Sequence, residues 1–459
     1  MRLQALLNLV PFYLLYTSGL VYGQDTKPNK VLDETTDAFI NDLLARWKSP
    51  GGVSVAVVRM DDQGGWNVET KGYGVATLAD GSRMTENTIL PIGSNSKLFT
   101  AIATGLLVSN QTLRTPLTWT TKVASVVPGF GLQDPIATAE ISIIDALSHR
   151  TGLPRHDYSY KWSDNVPNVI KKTKYHRPSA EFRDIYQYNN NMYTLASYLP
   201  TLLLPSKIPF ARYVKQNIFD PLGMKSTTYS YQVAKSGHLA DGMARQDINF
   251  TDPLGSGIPR ALPFWSTQGG EDGNIMSGAG GIASNAVDLA VWLQTLLLDG
   301  QKPNSNQSVI PAEVIEKVSA GVTVAEPIAP FPELSASVYG AGSLRSTYRG
   351  HAPTPATPRA SKAPLPSLNF TDLAGVYDNP GYGKFELCYV STNYTAASSS
   401  CKGLAANVST ILPGAVDPAV PTFIGAWNSP WQSHIRLTHF SGNQFNMSFL
   451  SSYVSVAFL

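Results

Sequence analysis

Two short stretches carry residue types that could together break an acyl bond. The first is Gly93-Ser94-Asn95-Ser96-Lys97-Leu98-Phe99-Thr100. Leu98, Ile102, Leu106 and Leu107 recur at three- and four-residue steps, which predicts a helix beginning at or just after Ser94. Lys97 then lies one turn on, facing the same way as the serine. A hydroxyl at a helix start meets the positive end of the dipole and unpaired backbone N–H groups, a setting that suits developing oxyanion charge. An amine one turn away can take the hydroxyl's proton once burial and neighbours lower its pKa. Serine is also a common N-cap and lysine a common first-turn residue, so four letters alone describe any helix start. The second stretch is Tyr186-Gln187-Tyr188-Asn189-Asn190-Asn191-Met192-Tyr193. Tyr188 near a lysine ammonium can be partly phenolate and pass protons, and Asn190 two residues on can hold a substrate amide. In isolation it reads as a polar loop before a helix carrying Leu195 and Leu199.

These residues need elements to hold them. Ile89-Leu90-Pro91-Ile92 is a short apolar approach to Ser94. Upstream, Thr35-Thr36-Asp37 reads as the cap of a helix whose Phe39, Leu43, Leu44 and Trp47 share a face, ended by Pro50-Gly51-Gly52. Val53 to Val58 reads as a strand, and a Gly64-Gly65 turn leads to a second strand around Trp66 to Val75. A helix, an antiparallel pair and then the serine helix predict an α+β class with a mixed sheet and helices packed on it. From 101 to 350 the chain is mostly helical between Pro- and Gly-containing loops. Pro209 starts a helix with Phe210, Val214 and Ile218, and Ser284 or Asn285 caps one with Leu289, Leu293, Leu296 and Leu297.

Residues 352–367 read Ala-Pro-Thr-Pro-Ala-Thr-Pro and onward with little that could be buried, so 352–371 is expected to be a linker. It separates a main domain over 31–351 from a small all-β piece over 372–459. In the latter, Ile435 and Leu437 alternate with polar neighbours. Ser441-Gly442-Asn443 makes a turn, and Phe445, Met447 and Phe449 alternate again, as in a hairpin of a small barrel or sandwich.

Arg2, the apolar run Leu6–Leu20 and Val21-Tyr22-Gly23 read as a secretory signal peptide over 1–23, so the mature protein is expected outside the cell. Asn-x-Ser/Thr sequons at Asn110, Asn249, Asn306, Asn369, Asn393, Asn407 and Asn446 suit a eukaryotic secretory route. In an oxidising compartment Cys388 and Cys401, the only two cysteines, are expected to form a local disulfide. A net charge of +2 without a basic run argues against nucleic acid or an anionic membrane as partner. The seven histidines show no ligand spacing and no His-Glu-x-x-His occurs, so no metal is expected. No phosphate loop, dinucleotide fingerprint or Gly-x-Ser-x-Gly elbow appears, so no cofactor is expected and an α/β-hydrolase is disfavoured.

The order of motifs adds to this. Ser-Asn-Ser-Lys at a helix start is followed by Ser148-His149-Arg150-Thr151-Gly152-Leu153-Pro154. Tyr188-Asn189-Asn190, Asp220-Pro221-Leu222-Gly223-Met224 and the stretch beginning Ser277-Gly278-Ala279-Gly280-Gly281 come next. Over about residues 40–351 this resembles the serine β-lactamase-like family, most closely its class C and DD-peptidase/esterase branch in a secreted fungal form. The resemblance implies a β-lactamase/transpeptidase-like fold, with 372–459 similar to a lipocalin-like C-terminal domain. It implies Ser94 as nucleophile, Lys97 as its partner, Tyr188 as general base and Asn190 as the substrate-amide contact. His149 is expected to brace its loop. The family's third motif, Lys-Thr-Gly or His-x-Gly on a strand beside the serine, does not follow Ser343. Tyr339 to His351 looks like the approach to it, and His351 is followed by Ala352-Pro353 instead of glycine. The main domain is therefore expected to lack its last strands. Two functions follow: a secreted hydrolase of esters or amides (a β-lactam, a D-peptide or a simple ester) acting through an acyl-enzyme on Ser94, or an inactive relative that serves as a binding protein.

Overall fold

The computed structural model describes residues 30–450 apart from 61–64, 162, 250, 253–255, 263–268, 330, 349–362, 380–382, 392–397, 412–415, 418 and 430–431. The signal peptide expected over 1–23, Asn393 and His351 lie outside the described residues. The chain divides into two compact units, residues 26–327 with 337–345 and residues 328–336 with 346–459.

The first unit holds both chemistry-bearing stretches. Its first helix, α1, spans Glu34–Arg46. The cap is Asp33, whose side chain accepts from the Thr36 N–H at 2.9 Å, and not the expected Thr35-Thr36-Asp37. Asp37 is drawn away by the next strand pair, accepting from Lys71 at 2.6 Å and from the Tyr73 hydroxyl at 2.8 Å. That ties the Asp37–Leu44 side of α1 inward and turns Phe39, Leu43 and Trp47 to solvent at 59, 40 and 64% exposure. The expected face is therefore split, with Leu44 turned toward Gly74 and the other three not packed. Strands β1 (Gly52–Met60) and β2 (Trp66–Gly74) pair antiparallel with Gly52 opposite Gly74 and Met60 opposite Trp66. Among the described residues this sheet has two strands, and all the named strand pairs of the chain are antiparallel.

The core lies among the helices. Helix α2 (Ser96–Val108) is buried over most of its length, with Phe99 stacked at 4.0 Å on Trp292 and edge-on to Phe219. Helix α3 (Ile143–Leu147), helix α4 (Asn190–Ala196), the single turn α5 (Ser277–Gly280) and helix α6 (Ala286–Leu297) surround it. Asn285, one of the two expected caps of α6, accepts from the Asp288 N–H at 2.9 Å. Two glycines allow the close approaches. A Cβ on Gly278 would meet the Tyr193 carbonyl oxygen at 2.3 Å, and one on Gly342, at φ +78°, would meet the Lys97 carbonyl oxygen at 2.6 Å.

One buried carboxylate fastens the loops that approach α2. Asp145, fully buried in α3, accepts from the Ser142 N–H and hydroxyl at 2.9 and 2.6 Å in a capping box. It also accepts from Arg150 Nε at 2.6 Å and from Arg183 Nε and Nη2 at 3.0 and 2.7 Å. Arg150 begins the loop after His149, and Arg183 the one before Tyr188.

The second unit is an up-and-down antiparallel meander of β3 (Gly375–Asn379), β4 (Gly383–Val390), β5 (Thr422–Ser429), β6 (Gln432–Ser441) and β7 (Gln444–Leu450). The expected β6–β7 hairpin is present, with Leu437 opposite Met447. This unit is not all strand. Helix α7 (Ser399–Ile411) crosses it, because Leu404 and Val408, four residues apart, share an apolar face that packs with Ile424 of β5. Cys388 of β4 and Cys401 of α7 form the expected disulfide. Of the sequon asparagines, Asn249, Asn306, Asn369 and Asn407 are exposed, and Asn110 is half-buried with its side chain accepting from the Thr112 N–H at 2.9 Å. Asn446 lies in β7. Among the described residues no helix is long and apolar enough to cross a membrane.

Because two arginines and a capping box converge on Asp145, Asp145→Ala should lower unfolding free energy by about 3–5 kcal/mol in urea titration, the cost of leaving buried partners unpaired. Its carboxyl is drawn down to about 2 against burial by the Arg183 and Ser142 hydrogen bonds. The folded-state value is below the unfolded one, so this stabilisation is present above about pH 4 and is lost as pH falls toward 2.

Candidate active site

Ser94 sits in the 3₁₀ turn Gly93–Asn95 that runs directly into α2. Lys97, one turn on, is 1% exposed. Its Nζ donates to Ser94 Oγ at 3.2 Å, to Asn190 Oδ1 at 2.7 Å and to the Ala279 carbonyl at 2.6 Å. The Tyr188 hydroxyl donates to Ser94 Oγ at 2.5 Å, so lysine and tyrosine converge on one oxygen. The fold thus brings together all four expected residues, Ser94, Lys97, Tyr188 and Asn190.

Burial drives the Lys97 ammonium down to about 7, with Arg155 adding to the fall and Asp157 opposing it. The contacts say which hydrogen is lost. Asn190 Oδ1 and the Ala279 carbonyl are acceptors only, so a neutral amine keeps its two N–H bonds toward them. The lone pair is left pointing at Ser94 Oγ. Near neutral pH a large share of Lys97 is therefore a base aimed at the serine hydroxyl. Burial pushes Tyr188 above its usual value, against the pull of its Ser94 hydrogen bond and of Arg155. The expected partly phenolate tyrosine is thus mainly a phenol at rest, and Lys97 is the more readily deprotonated of the two.

Two of the expected roles are refined by these contacts. Asn190 faces Lys97 with its oxygen while its Nδ2 donates to Asp157 Oδ1 at 3.0 Å, so its amide bridges two charged groups. His149 is fully buried at φ +59°, and its Nδ1 accepts from the Asn189 N–H at 3.1 Å. The rings of Tyr186, Tyr188, Tyr193 and Tyr339 surround it at 4.5 to 5.5 Å, and burial holds it well below its ordinary value, hence neutral. It braces the loop. Three participants were missed: the Ala279 carbonyl, Asp157 and Arg155. A backbone carbonyl leaves no residue-type signal. Arg155 and Asp157 directly follow Leu153-Pro154, and their charge alone could have flagged them.

Behind the site, Thr100 Oγ1 donates to the Gly278 carbonyl at 2.7 Å and the Ile282 N–H donates to Ser96 Oγ at 3.1 Å, which locks α2 against α5. Among the described residues no group of His, Cys, Asp or Glu could hold a metal ion.

The family described as Beta-lactamase matches residues 37–349. The chain belongs to the beta-lactamase family. Within that family it is 32% identical over 289 residues to an unguisins hydrolase of Aspergillus violaceofuscus, covering 61% of this chain and 47% of that one. A second unguisins hydrolase, of Aspergillus campestris, is 34% identical over 274 residues, covering 58% of this chain and 47% of that one. The N-acetylmuramyl-L-alanine amidase of Bacillus subtilis is 26% identical over 277 residues, covering 56% and 60%. The chain spans about half the length of the unguisins hydrolases it matches. In fold it is similar to the octameric penicillin-binding protein homologue from Pyrococcus abyssi, with a TM-score of 0.52 at 18% identity over 88% of this chain and 90% of that one.

If Lys97 is the base for Ser94, fluorophosphonate labelling of Ser94 should rise through about pH 7. Lys97→Arg, whose guanidinium stays charged, should label roughly 10²–10⁴-fold more slowly and lose that pH dependence; stopped time courses by intact mass read both.

Proposed function

We propose that this protein is a secreted, glycosylated serine hydrolase that cleaves an amide or ester through an acyl-enzyme on Ser94. The observation that carries the reading is the convergence of a buried lysine near pKa 7 and a tyrosine on one serine oxygen. Neutral Lys97 takes the proton of Ser94 as Oγ attacks the carbonyl carbon. The tetrahedral adduct collapses by breaking the bond to the leaving nitrogen or oxygen. That atom takes the proton of the Tyr188 hydroxyl, leaving a Tyr188 phenolate beside the Lys97 ammonium. A water then attacks the ester on Ser94 as the Tyr188 phenolate takes its proton, and the acid product leaves as Ser94 Oγ recovers its proton from the Lys97 ammonium. Asn190, held between Lys97 and Asp157, lies beside the nucleophile as the contact for a substrate amide.

The relatives named as hydrolases and an amidase support an amide or peptide substrate over a simple ester. The signal peptide, sequons and disulfide support secretion. No Lys-Thr-Gly or His-x-Gly follows Ser343, and that feature favours the second reading, a binding protein that does not turn over. One missing oxyanion donor lowers a rate by roughly 10²–10³, which a sensitive assay still detects.

Intact mass after incubation with a fluorophosphonate and, separately, a β-lactam decides between the two readings. The expected result is one adduct on the native protein and none on Ser94→Ala. A folded, monodisperse sample that stays unlabelled with both reagents would overturn the hydrolase reading.

A further inference from the structure

The loop after Pro154 brings a guanidinium to the one tyrosine that touches Ser94. Arg155 Cζ lies 4.5 Å from the Tyr188 ring centroid, and Lys97 Nζ lies 4.6 Å from it. Arg155 is held there by a long ion pair, its Nη1 3.5 Å from Asp157 Oδ2, and by the loop itself, whose Pro154 carbonyl accepts from Asn189 Nδ2 at 2.7 Å. The side chain remains 63% exposed, so the pair is a solvated one at the mouth of the site. We propose that Arg155 is a positioning residue for leaving-group protonation: its guanidinium over the Tyr188 ring stabilises the phenolate that remains once the tyrosine has given up its proton. This rests on the hydrolase reading above for its catalytic consequence, though not for the electrostatic one.

The physical reason is the shape of the charge. A phenolate spreads part of its negative charge from oxygen into the ring, so a cation against the ring is attracted by that charge as well as by the ring face. Every charged or titratable group near Tyr188 can be named. Lys97 reaches it from α2 and is neutral over half of its population above about pH 7. His149 packs at 4.5 Å and is held neutral by burial. Tyr160, Tyr186, Tyr193 and Tyr339 are all pushed up by burial and stay phenols. Asp157 opposes deprotonation of Tyr188, and Arg155 favours it. When the leaving group is protonated Lys97 carries the proton taken from Ser94, so two cations lie against the Tyr188 ring, and Arg155 is the one whose effect on Tyr188 opposes that of Asp157. Without Arg155, the effect of Asp157 on Tyr188 would be less compensated and the phenol would hold its proton more tightly.

A tighter phenol is a weaker acid, and weak acids fail first on poor leaving groups. An amine must be protonated as it departs, whereas p-nitrophenolate leaves without a proton. Loss of Arg155 should therefore spare p-nitrophenyl ester turnover and depress kcat for the matching anilide or peptide amide. A merely structural role would depress both.

Two measurements test this. In the first, phenolate absorbance is titrated in the full chain and the signal of Tyr188→Phe subtracted, which isolates one tyrosine among 21. The Tyr188 midpoint should move to higher pH in Arg155→Gln, return toward the native value in Arg155→Lys, and move to lower pH in Asp157→Asn. An unchanged midpoint in Arg155→Gln overturns the proposal, and this holds whether or not the protein hydrolyses anything. In the second, kcat for the anilide should fall at least tenfold relative to the p-nitrophenyl ester in Arg155→Gln, with the ratio restored by Arg155→Lys. A parallel loss on both substrates, with the midpoint moved, overturns the leaving-group role. Absence of any turnover in the native protein, with the midpoint moved, counts against the hydrolase reading and leaves the electrostatic effect of Arg155 supported.

Discussion

The site depends on burying one amine without letting it escape. Lys97 is nearly inaccessible, and taking an isolated ammonium out of water costs several kcal/mol. Three acceptors around Nζ offset part of that cost, and the remainder appears as an amine with a pKa near 7. Two of the three acceptors cannot give a hydrogen back, and the third is the serine hydroxyl. Desolvation therefore makes the base, and the acceptor types aim it.

Much of the first unit can be understood as the means of keeping those acceptors in place. The Ala279 carbonyl is held by α5, whose glycines let it sit against α2 and α4 at backbone distance. Asn190 starts α4, capped by Asn189, which also ties the loop at Pro154. Asp145 joins the loops on either side through Arg150 and Arg183. Such a network stabilises little relative to an apolar core, since each buried charge is desolvated, but it fixes geometry, and removing one member exposes the rest. The hydrogen bonds that meet at Lys97 Nζ and Ser94 Oγ depend on that fixed geometry.

The N-terminal helix shows where local pattern and tertiary environment diverge. The apolar positions of α1 recur as they should, yet Phe39, Leu43 and Trp47 face solvent because Asp37 anchors the other side of the helix on Lys71 and Tyr73. Periodicity identifies an apolar face; it does not say what covers it. In the same way, alternation located the β6–β7 hairpin, whereas the α7 helix escaped notice because Leu404 and Val408 are a short signal in a run of small polar residues.

The sequence by itself determined the pieces that are local: a serine and lysine one turn apart at a helix start, a tyrosine and asparagine at another, and the order of motifs that places the chain in the beta-lactamase family. Helix period and cap chemistry act over a few residues, so they can be read without the fold. Only the tertiary structure decided what those residues experience. Ninety-three residues separate Lys97 from Asn190 and 182 separate it from Ala279, and it is their meeting that desolvates the amine and directs its lone pair. Arg155 and Asp157, unremarkable as letters, gain their place because the loop after Pro154 folds back over Tyr188. Burial and charge proximity belong to the packed chain, and they set the pKa values on which any chemistry at Ser94 would run.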